Sequence, residues 1–390
     1  MTHFEFATAG RIIFGPGSMR EVAGISARWG KRALVVTGRS RERVEALLGQ
    51  LEAKGTAAAL FHVPGEPTIE TVQSCVRHAR QSGCEFVIGF GGGSAIDTAK
   101  AAAAILANEG DLLDYLEVIG KGRTLANPSL PFLAIPTTAG TGAEVTRNAV
   151  LASVEHRVKV SLRSHFMLPR LAVVDPELTY PLPPFLTATT GLDALTQLIE
   201  PFVSNSSSPL TDALCREGIL RVARSLQRAC SHGNDAQARE DMSLASLFGG
   251  LALANAKLGA VHGLAGPLGG VLPAPHGALC ARLLPVVMNA NIRALRERAP
   301  GSPVLERYSE VARLLTGKEG ARHSDGVSRL NALCSELAIP ALSAYGLGQN
   351  MIPAVVEQAM KASSMKGNPI ELTGPELTSA LEQAMDAEGA

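Results

Sequence analysis

Four short and almost wholly apolar runs in the first 180 residues constrain the fold of this chain more than any other feature. They read ALVVT (33–37), FVIGF (86–90), FLAIP (132–136) and LAVVD (171–175). Unbroken runs of this length are typical of parallel strands that are buried on both faces. The stretches 40–54 and 68–82 have the length of the crossover helices that parallel strands require. We therefore expect an α/β domain with a parallel sheet.

The pattern changes after the proline-rich segment YPLPP (180–184). Beyond it the chain consists of long Ala- and Leu-rich segments with almost no β-branched runs, which predicts an all-helical domain. We place the domain boundary at this segment. The expected domains are residues 1–180, an α/β domain, and residues 181–390, a helical domain.

Charge and hydropathy exclude two classes of partner. Lys plus Arg and Asp plus Glu both number 36, so no net field would attract nucleic acid or an acidic membrane. The longest apolar tract, residues 244–275, is interrupted by Asn255, Lys257 and His262, which indicates buried helix and turn and not a bilayer span. We expect no nucleic acid or membrane as a partner.

Cysteine usage and the N-terminus favour a cytoplasmic protein. No C-x-x-C pair occurs, which argues against a disulfide scaffold and against a thiolate zinc cluster. The first residues, MTHFEFATAGRIIFGPGS, lack a charged segment followed by an apolar core, so no secretory signal is evident. The six scattered cysteines are Cys75, Cys84, Cys215, Cys230, Cys280 and Cys334.

The segment FVIGFGGGSAIDTAK (86–100) combines a strand, a glycine turn and an Ala-rich helix. We expect Ser94 to cap the helix, with Asp97 at the capping-box spacing. This arrangement directs backbone N–H groups and a positive helix end towards a phosphate. The dinucleotide fingerprint G-x-G-x-x-G is not met, because Ser94 stands where the third glycine would fall. A tight strand–helix turn without a ligand explains the segment almost as well.

A second candidate site lies in GLDALTQLIE (191–200). Asp193 and Gln197 are four residues apart and share one helix face, the spacing at which metal enzymes often place a carboxylate and an imidazole. Here the second residue is an amide. The pattern leaves three readings open: a metal site with an unusual ligand, a site without metal, or an ordinary helix.

Together, five motifs in order carry a family resemblance: GGGSAIDTAK, PTTAGTGAEVT (136–146), GLDALTQLIE, VHGLAGPLGG (261–270) and PHG (275–277). The chain resembles the iron-dependent (group III) alcohol dehydrogenase family, from GRIIFGPGS onwards. The resemblance implies that the α/β domain, residues 1–180, binds the dinucleotide and that the helical domain, residues 181–390, carries the metal and the substrate. This architecture is shared with dehydroquinate synthase. The resemblance further implies interconversion of alcohols with aldehydes or ketones by NAD(P), and a homodimer or larger homo-oligomer.

The resemblance also implies cofactor-binding residues. The glycine turn would hold the pyrophosphate, and the PTT element would approach the ribose and nicotinamide. The residues implied are Gly91, Gly92, Gly93, Ser94, Asp97, Thr137, Thr138, Thr141, Lys159 and Leu178. NAD-preferring members have Asp where this chain has Gly38, and Arg39 and Ser40 could donate to a 2′-phosphate. We therefore expect NADP to be favoured over NAD.

The family's metal ligands are one aspartate and three histidines. Asp193, His262 and His276 match three of them, and Gln197 occupies the position of the remaining histidine. A further family histidine near the nicotinamide is replaced by Gly266. A glutamine oxygen can bind a divalent cation, but it is neutral and harder than imidazole, so metal affinity should fall.

Several functions remain open on the sequence alone. The leading hypothesis is an alcohol dehydrogenase or carbonyl reductase in which Fe²⁺ or Zn²⁺, bound by Asp193, Gln197, His262 and His276, polarises the substrate oxygen. The first alternative is a metal-independent carbonyl reductase similar to the maleylacetate reductases. Two further alternatives are a lyase related to dehydroquinate synthase and a non-catalytic dinucleotide-binding protein.

Overall fold

The structure is a computed structural model, and it describes residues 3–38, 41–153, 155–156 and 158–386. The strands, numbered in chain order, are β1 Ile12–Phe14, β2 Arg32–Thr37, β3 Ala57–His62, β4 Phe86–Gly91, β5 Phe132–Pro136, β6 Asn148–Ser153, β7 Val158–Arg163 and β8 Leu171–Val174. The four strands expected from the apolar runs are confirmed as β2, β4, β5 and β8. Strands β1, β3, β6 and β7 were not anticipated.

The helices of the described chain follow the same division along the sequence. They are α1 Val22–Ser26, α2 Arg41–Ala53, α3 Ile69–Gln81, α4 Gly93–Leu106, α5 Leu112–Tyr115, α6 Pro184–Val203, α7 Pro209–Ser231, α8 Ala236–Ala256, α9 Ala260–Val271, α10 His276–Arg298, α11 Val304–Thr316, α12 His323–Glu336, α13 Ile352–Lys361 and α14 Gly374–Met385. From α6 onwards the described elements are all helices, which confirms the expected change from an α/β domain to a helical domain.

Six strands form one parallel sheet in the order β1-β8-β5-β4-β2-β3, and β6 and β7 form a separate antiparallel hairpin. Side chains of alternate residues point to opposite faces, so Leu34 and Val36 pack with α3 and α4 while Ala33 and Val35 pack with α2. Both faces of the sheet are therefore covered. This double burial explains why the strands read as continuous apolar runs.

The sheet contains a point at which the direction of the chain reverses. Strand β3 lies on one side of β2, and β4 lies on the other. The helices that follow β2 and β4 accordingly pack on opposite faces. In open α/β sheets, ligands bind outside the carboxyl ends of the strands at such a point. The topology thus directs attention to the residues that follow β2 and β4.

The chain divides into two compact units. One comprises Ala7–Thr138 and Gly142–Tyr180, and the other begins at Pro181 and also includes Ala139–Thr141 and the segment ending at Phe6. Gly140 shows why the short middle segment belongs with the helices, because a Cβ there would lie 2.8 Å from the Cβ of Thr190 on α6. The long parts of the two units are divided between Tyr180 and Pro181, and the short segments are exchanged in addition to that division.

Among the described helices, α10 alone is long and apolar enough to cross a membrane by itself, and most of it is buried among neighbouring helices. The pair α8 and α9 meets the same criteria only jointly, and it is bent by 101°. Burial of an apolar helix on all sides is the pattern of a core helix. The tract that was expected to be buried helix and turn forms the second half of α8 and then α9.

Candidate active site

Helix α6 supplies one buried polar face to the helical unit. Asp193, Gln197 and Glu200 follow one another at intervals of four and three residues, so they lie on one side of the helix. Their side chains are all buried, although the surrounding residues of α6 are mostly apolar. A buried carboxylate is costly unless it is paired or coordinates a metal. Two carboxylates on this face therefore require partners.

The partners come from the first turns of α9 and α10. His262 lies in the first turn of α9, and His276 is the first residue of α10. Gly277 allows the start of α10 to approach α6, because a Cβ at this position would lie only 2.4 Å from the carbonyl oxygen of Thr189. The VHG and PHG motifs thus bring two imidazoles onto the polar face of α6.

Four side chains converge at this point. His262 Nε2 lies 3.5 Å and His276 Nε2 lies 3.9 Å from Asp193 Oδ1. Cys280, one turn after His276 on α10, places its Sγ 3.5 Å from His276 Nε2 and 3.8 Å from His262 Nε2. The potential ligand atoms of these four residues all lie within 4.8 Å of one another. The structure therefore brings together three of the four predicted ligands, with a cysteine that was not predicted.

Two buried oxygen atoms on the polar face of α6 have no hydrogen-bond partner: Asp193 Oδ1 and Gln197 Oε1. Leaving a buried acceptor unsatisfied costs about 1–3 kcal/mol, and more for a charged group. A divalent cation would satisfy both oxygens. The Nε2 atoms of two imidazoles lie within 4 Å of Asp193 Oδ1. These nitrogen and oxygen donors fit the divalent metal that the sequence predicts.

Mutual interactions shift the pKa values of the clustered groups. Burial alone would raise the pKa of Asp193, but the contacts with His262 and His276 and a hydrogen bond from Gln197 hold it below its usual value. Burial would lower the pKa of His262, yet Cys280 and Glu200 raise it well above its usual value.

The same balance governs the other two groups. The charge of Cys280 is the main reason for the raised pKa of His276. For Cys280 itself, burial raises the pKa, but His276 and His262 together outweigh burial and lower it. Imidazole protons thus balance the anionic groups, and metal binding would release such protons.

Glu200 is a buried partner of the candidate site that the sequence analysis missed. Its Oε2 lies 2.6 Å from His262 Nδ1, and its Oε1 accepts a hydrogen bond from the N–H of Val261 at 2.7 Å. A proton held on Nδ1 by the carboxylate leaves the Nε2 lone pair directed at the cluster. Metal-binding histidines commonly have such a carboxylate partner. The signal was present, because Glu200 follows Asp193 by seven residues on the same helix face.

In the α/β unit, the reversal point of the sheet is lined by glycine. Gly38 follows β2, and Gly91 ends β4 with φ of 156°. A Cβ at Gly91 would lie 2.8 Å from the Cβ of Ala95 and 3.4 Å from the Gly38 nitrogen. A larger residue would fill the space at the N-terminus of α4. The turn therefore fits a phosphate group placed against the end of the helix.

The PTT element lies beside this turn. Thr137 donates its backbone N–H to the Gly91 carbonyl oxygen at 2.9 Å. The side chain of Thr138 lies against Gly92, where a Cβ would come within 3.3 Å of it. Two motifs that are about 45 residues apart in sequence thus meet at the carboxyl ends of adjacent strands, as parallel pairing of β4 and β5 requires.

The expected capping box is wrong. Helix α4 begins at Gly93 with Gly92 at the N-cap position, so Ser94 lies inside the first turn and does not cap it. Asp97 accepts a hydrogen bond from the N–H of Val150 at 3.0 Å and lies 3.7 Å from Lys100 Nζ. Its carboxylate therefore ties the β6–β7 hairpin to α4. Capping-box spacing alone could not distinguish these two roles.

The remaining predicted cofactor residues have separate positions. Lys159, on β7, forms an ion pair with Glu66 at 2.6 Å. Leu178 lies in a short 3₁₀ helix after β8 and packs against the core of the sheet. Thr141 belongs to the segment Ala139–Thr141 of the helical unit. Arg39 and Ser40 lie outside the described residues.

Gly266 occupies the position of the further family histidine. It lies within α9, one turn after His262, and a Cβ added there would meet no atom within 4 Å. The family histidine predicted for this position would have room. The structure provides open space where the sequence lacks a proton carrier.

Comparison with known proteins shows the family to which the chain belongs. Residues 9–176 match the iron-containing alcohol dehydrogenase family model, and residues 187–385 match the C-terminal model of the Fe-containing alcohol dehydrogenase family. Alcohol dehydrogenase 4 of Schizosaccharomyces pombe is 35% identical over 382 residues, covering 96% of this chain and 87% of that protein.

Two solved structures are also similar. A 1,3-propanediol oxidoreductase has a TM-score of 0.91 at 33% identity, covering 98% of this chain and all of that chain. A sulfoacetaldehyde reductase from Bifidobacterium kashiwanohense in complex with NAD+ has a TM-score of 0.87 at 29% identity, with both chains fully covered. The family models and the fold agree along nearly the whole chain. The chain therefore belongs to the iron-containing alcohol dehydrogenase family, and it is an NAD(P)-dependent oxidoreductase that interconverts alcohols with aldehydes or ketones.

Proposed function

We propose that this enzyme acts on a small carbonyl compound or the corresponding alcohol at a divalent metal held by Asp193, His262 and His276, with Gln197 Oε1 as a weaker donor. The observation that carries the proposal is the pair of buried, unpartnered oxygens on Asp193 and Gln197 beside two imidazoles. Buried acceptors are usually hydrogen-bonded, so two unsatisfied oxygens on one helix face beside two imidazoles favour a bound ligand.

Each residue has a distinct task in this proposal. Asp193 supplies the negative charge, and His262 supplies an Nε2 lone pair whose direction is fixed by Glu200. His276 is about one-third exposed, so it forms the open side of the cluster. When bound, the metal would supply Lewis-acid polarisation of the substrate oxygen, and the nicotinamide would accept or donate the hydride.

The proton must be carried by a group other than the family's histidine, because Gly266 stands at that position. Hydride addition to a carbonyl produces an alkoxide, and a positioned acid is usually worth about 10² to 10⁴ in rate. With Gly266 in place of histidine, open space exists for water one turn after His262. We propose that water or a ribose hydroxyl of the cofactor carries the proton.

We propose that the cofactor pyrophosphate lies at the glycine turn, Gly91, Gly92, Gly93 and Ser94, against the N-terminus of α4. The close approach of Gly38 to Gly91 supports this position, as does the contact of Thr138 with Gly92. Thr137 supports the turn through its backbone hydrogen bond. Asp97 and Lys159 would act indirectly, since both are held in contacts within the α/β unit.

NADP is the favoured cofactor in this proposal, because Gly38 provides no acid to repel a 2′-phosphate and Arg39 and Ser40 could donate to one. The test is the ratio of kcat/KM for NADPH to that for NADH with one aldehyde. A ratio well above one supports the preference. Equal efficiencies, or a preference for NADH, contradict it.

The substrate is a small aldehyde, ketone or alcohol. The structural relatives named above act on 1,3-propanediol and sulfoacetaldehyde by their names, and by analogy with them we propose a compact substrate with one reacting carbonyl. We also propose a cytoplasmic homodimer or larger homo-oligomer. All six cysteines are unpaired, as a reducing compartment would leave them.

The decisive experiment separates metal-dependent from metal-independent reduction, the second function that Gln197 and Gly266 leave open. The purified enzyme is analysed for bound metal, treated with a chelator and assayed with a panel of aldehydes by NADPH consumption. We expect activity to fall on chelation and to return with Fe²⁺ or Zn²⁺. Full activity of a verified metal-free preparation would support the metal-independent carbonyl reductase instead.

A further inference from the structure

Cys280 is a potential metal ligand of a type that the family's ligand set, one aspartate and three histidines, does not include. Its Sγ lies 3.5 Å from His276 Nε2 and 3.8 Å from His262 Nε2, and it is fully buried. A cysteine four residues after a histidine on one helix shares its face, so the start of α10 presents two donors and not one. We propose that Cys280 is a thiolate ligand of the metal and replaces the donor lost where Gln197 stands.

The spacing of the four donors supports this proposal. With metal–ligand bonds of about 2.0 to 2.3 Å, tetrahedral geometry places neighbouring ligand atoms about 3.3 to 3.7 Å apart. The imidazole–carboxylate and imidazole–thiol separations run from 3.5 to 3.9 Å. These four separations are close to those of a coordination shell, and all four donor atoms lie within 4.8 Å of one another.

An independent observation shows that the cluster is directed at a ligand. Asp193 Oδ1 and Gln197 Oε1 are both buried and have no partner. In contrast, the other cysteines that are buried in the helical unit lie away from the histidines. Cys334, for example, donates its thiol to the carbonyl oxygen of Ala281 at 3.3 Å. Burial alone therefore does not explain why one thiol faces two imidazoles and a carboxylate.

The charge and softness of the donors indicate which metal this centre would prefer. A neutral glutamine oxygen is a weak replacement for an imidazole, whereas a thiolate adds a negative charge and a strong soft donor. The thiol would release its proton when the metal binds. Two imidazoles, one carboxylate and one thiolate form a donor set typical of zinc, which also accepts a fifth ligand during catalysis. We infer that this centre prefers Zn²⁺ to Fe²⁺.

The inference rests on the metal centre proposed above, and X-ray absorption of the zinc-loaded wild-type enzyme tests the two separately. We expect one sulfur atom in the zinc shell at about 2.3 Å. Zinc bound with only nitrogen and oxygen neighbours would overturn the role of Cys280 and leave the metal centre intact. If the wild type bound no stoichiometric metal, the metal centre and the inference would both be wrong.

Cobalt substitution provides a second readout with variants. The Co²⁺ enzyme should show thiolate-to-metal charge-transfer absorption in the near ultraviolet, which Cys280→Ser should abolish while weakening metal binding about 10- to 100-fold or more, given that outer-shell changes alone have that effect. Cys334→Ser is the matched control, because that thiol is buried in the same unit and should leave the absorption unchanged. Persistence of the absorption in Cys280→Ser would overturn the proposal.

A compensating variant tests why Cys280 is present. In Gln197→His with Cys280→Ser, the introduced imidazole should restore metal affinity towards the wild-type value without the charge-transfer absorption. An affinity no better than that of Cys280→Ser alone would overturn the idea that the thiolate replaces a donor at position 197. Thermal unfolding without added metal verifies that each variant is folded.

Discussion

Replacement of Glu200 by glutamine tests whether the carboxylate orients His262 for metal binding, because the imidazole itself stays in place. The carboxylate accepts from His262 Nδ1 with one oxygen and from the Val261 N–H with the other. A glutamine side chain offers one oxygen and one NH₂ group in nearly the same space. In Glu200→Gln, the side chain therefore cannot accept hydrogen bonds from both neighbours, as the carboxylate does.

Either orientation of the new amide has a cost that can be estimated. If the NH₂ group faces His262, Nδ1 must accept and the proton moves to Nε2, which removes the lone pair directed at Asp193. If it faces Val261, a buried N–H loses its acceptor, at a cost of about 1–3 kcal/mol in the free energy of unfolding. Loss of a comparable partner weakens metal binding about 10- to 100-fold, or about 1.4–2.7 kcal/mol.

The assay is a competitive chelator titration with Zn²⁺, accompanied by thermal unfolding. We expect Glu200→Gln to raise the metal dissociation constant at least about 10-fold, and Glu200→Asp, which keeps the charge, to lose less. Glu357→Gln is the control, because that carboxylate pairs with Lys361 on an exposed surface. A Glu200→Gln enzyme that is folded and binds metal within about threefold of the wild type would refute the positioning role.

Three further predictions concern other positions. Gln197→His should tighten metal binding by about 10-fold or more in the same titration, because an imidazole replaces a weak neutral donor; an unchanged affinity would show that position 197 does not face the metal. Gly266→His should raise kcat for carbonyl reduction by about 10-fold or more and add an ionisation to the pH–rate profile, because the introduced imidazole can carry the proton; an unaltered profile would exclude this role. Burial raises the pKa of Glu144 from 4.5 to about 7 against the opposing charge of Lys100. The folded state thus holds this proton longer than the unfolded state, so stability falls between about pH 4.5 and 7, by up to about 3 kcal/mol. Glu144→Gln should therefore raise the melting temperature relative to wild type at pH 8 but not at pH 5, and a pH-independent difference would contradict the assignment.

The sheet could be predicted from sequence where its strands are buried on both faces. Strands β2, β4, β5 and β8 carry continuous apolar runs because helices cover both sides. Strand β3, at the edge, is AAALFH with mostly exposed or half-buried side chains, and β1 has only three residues. Neither has a period or length that distinguishes it from a loop.

The residues of the candidate site could also be predicted only in part. Asp193, His262 and His276 could be identified from their order in motifs. Their convergence depends on contacts of helices α6, α9 and α10 across more than 60 residues, and no local pattern encodes that distance. Ser94 shows the opposite case: a good local capping signal was overridden, because Gly92 is the N-cap and the helix begins two residues earlier than that signal predicts.

Glu200 and Cys280 show what the convergence adds to the motifs. Each lies one or two helical turns from a predicted ligand, and each was invisible as a ligand or partner until the opposite helix was in place. Glu200 became a partner only because His262 presents Nδ1 to it, and Cys280 because α10 starts against α6 at Gly277. The effect of glutamine at the family's histidine position, residue 197, on metal binding therefore depends also on Cys280. In the proposed centre, Cys280 on α10 replaces the donor lost at position 197 on α6, so the number of strong donors is conserved although the residues that supply them have changed.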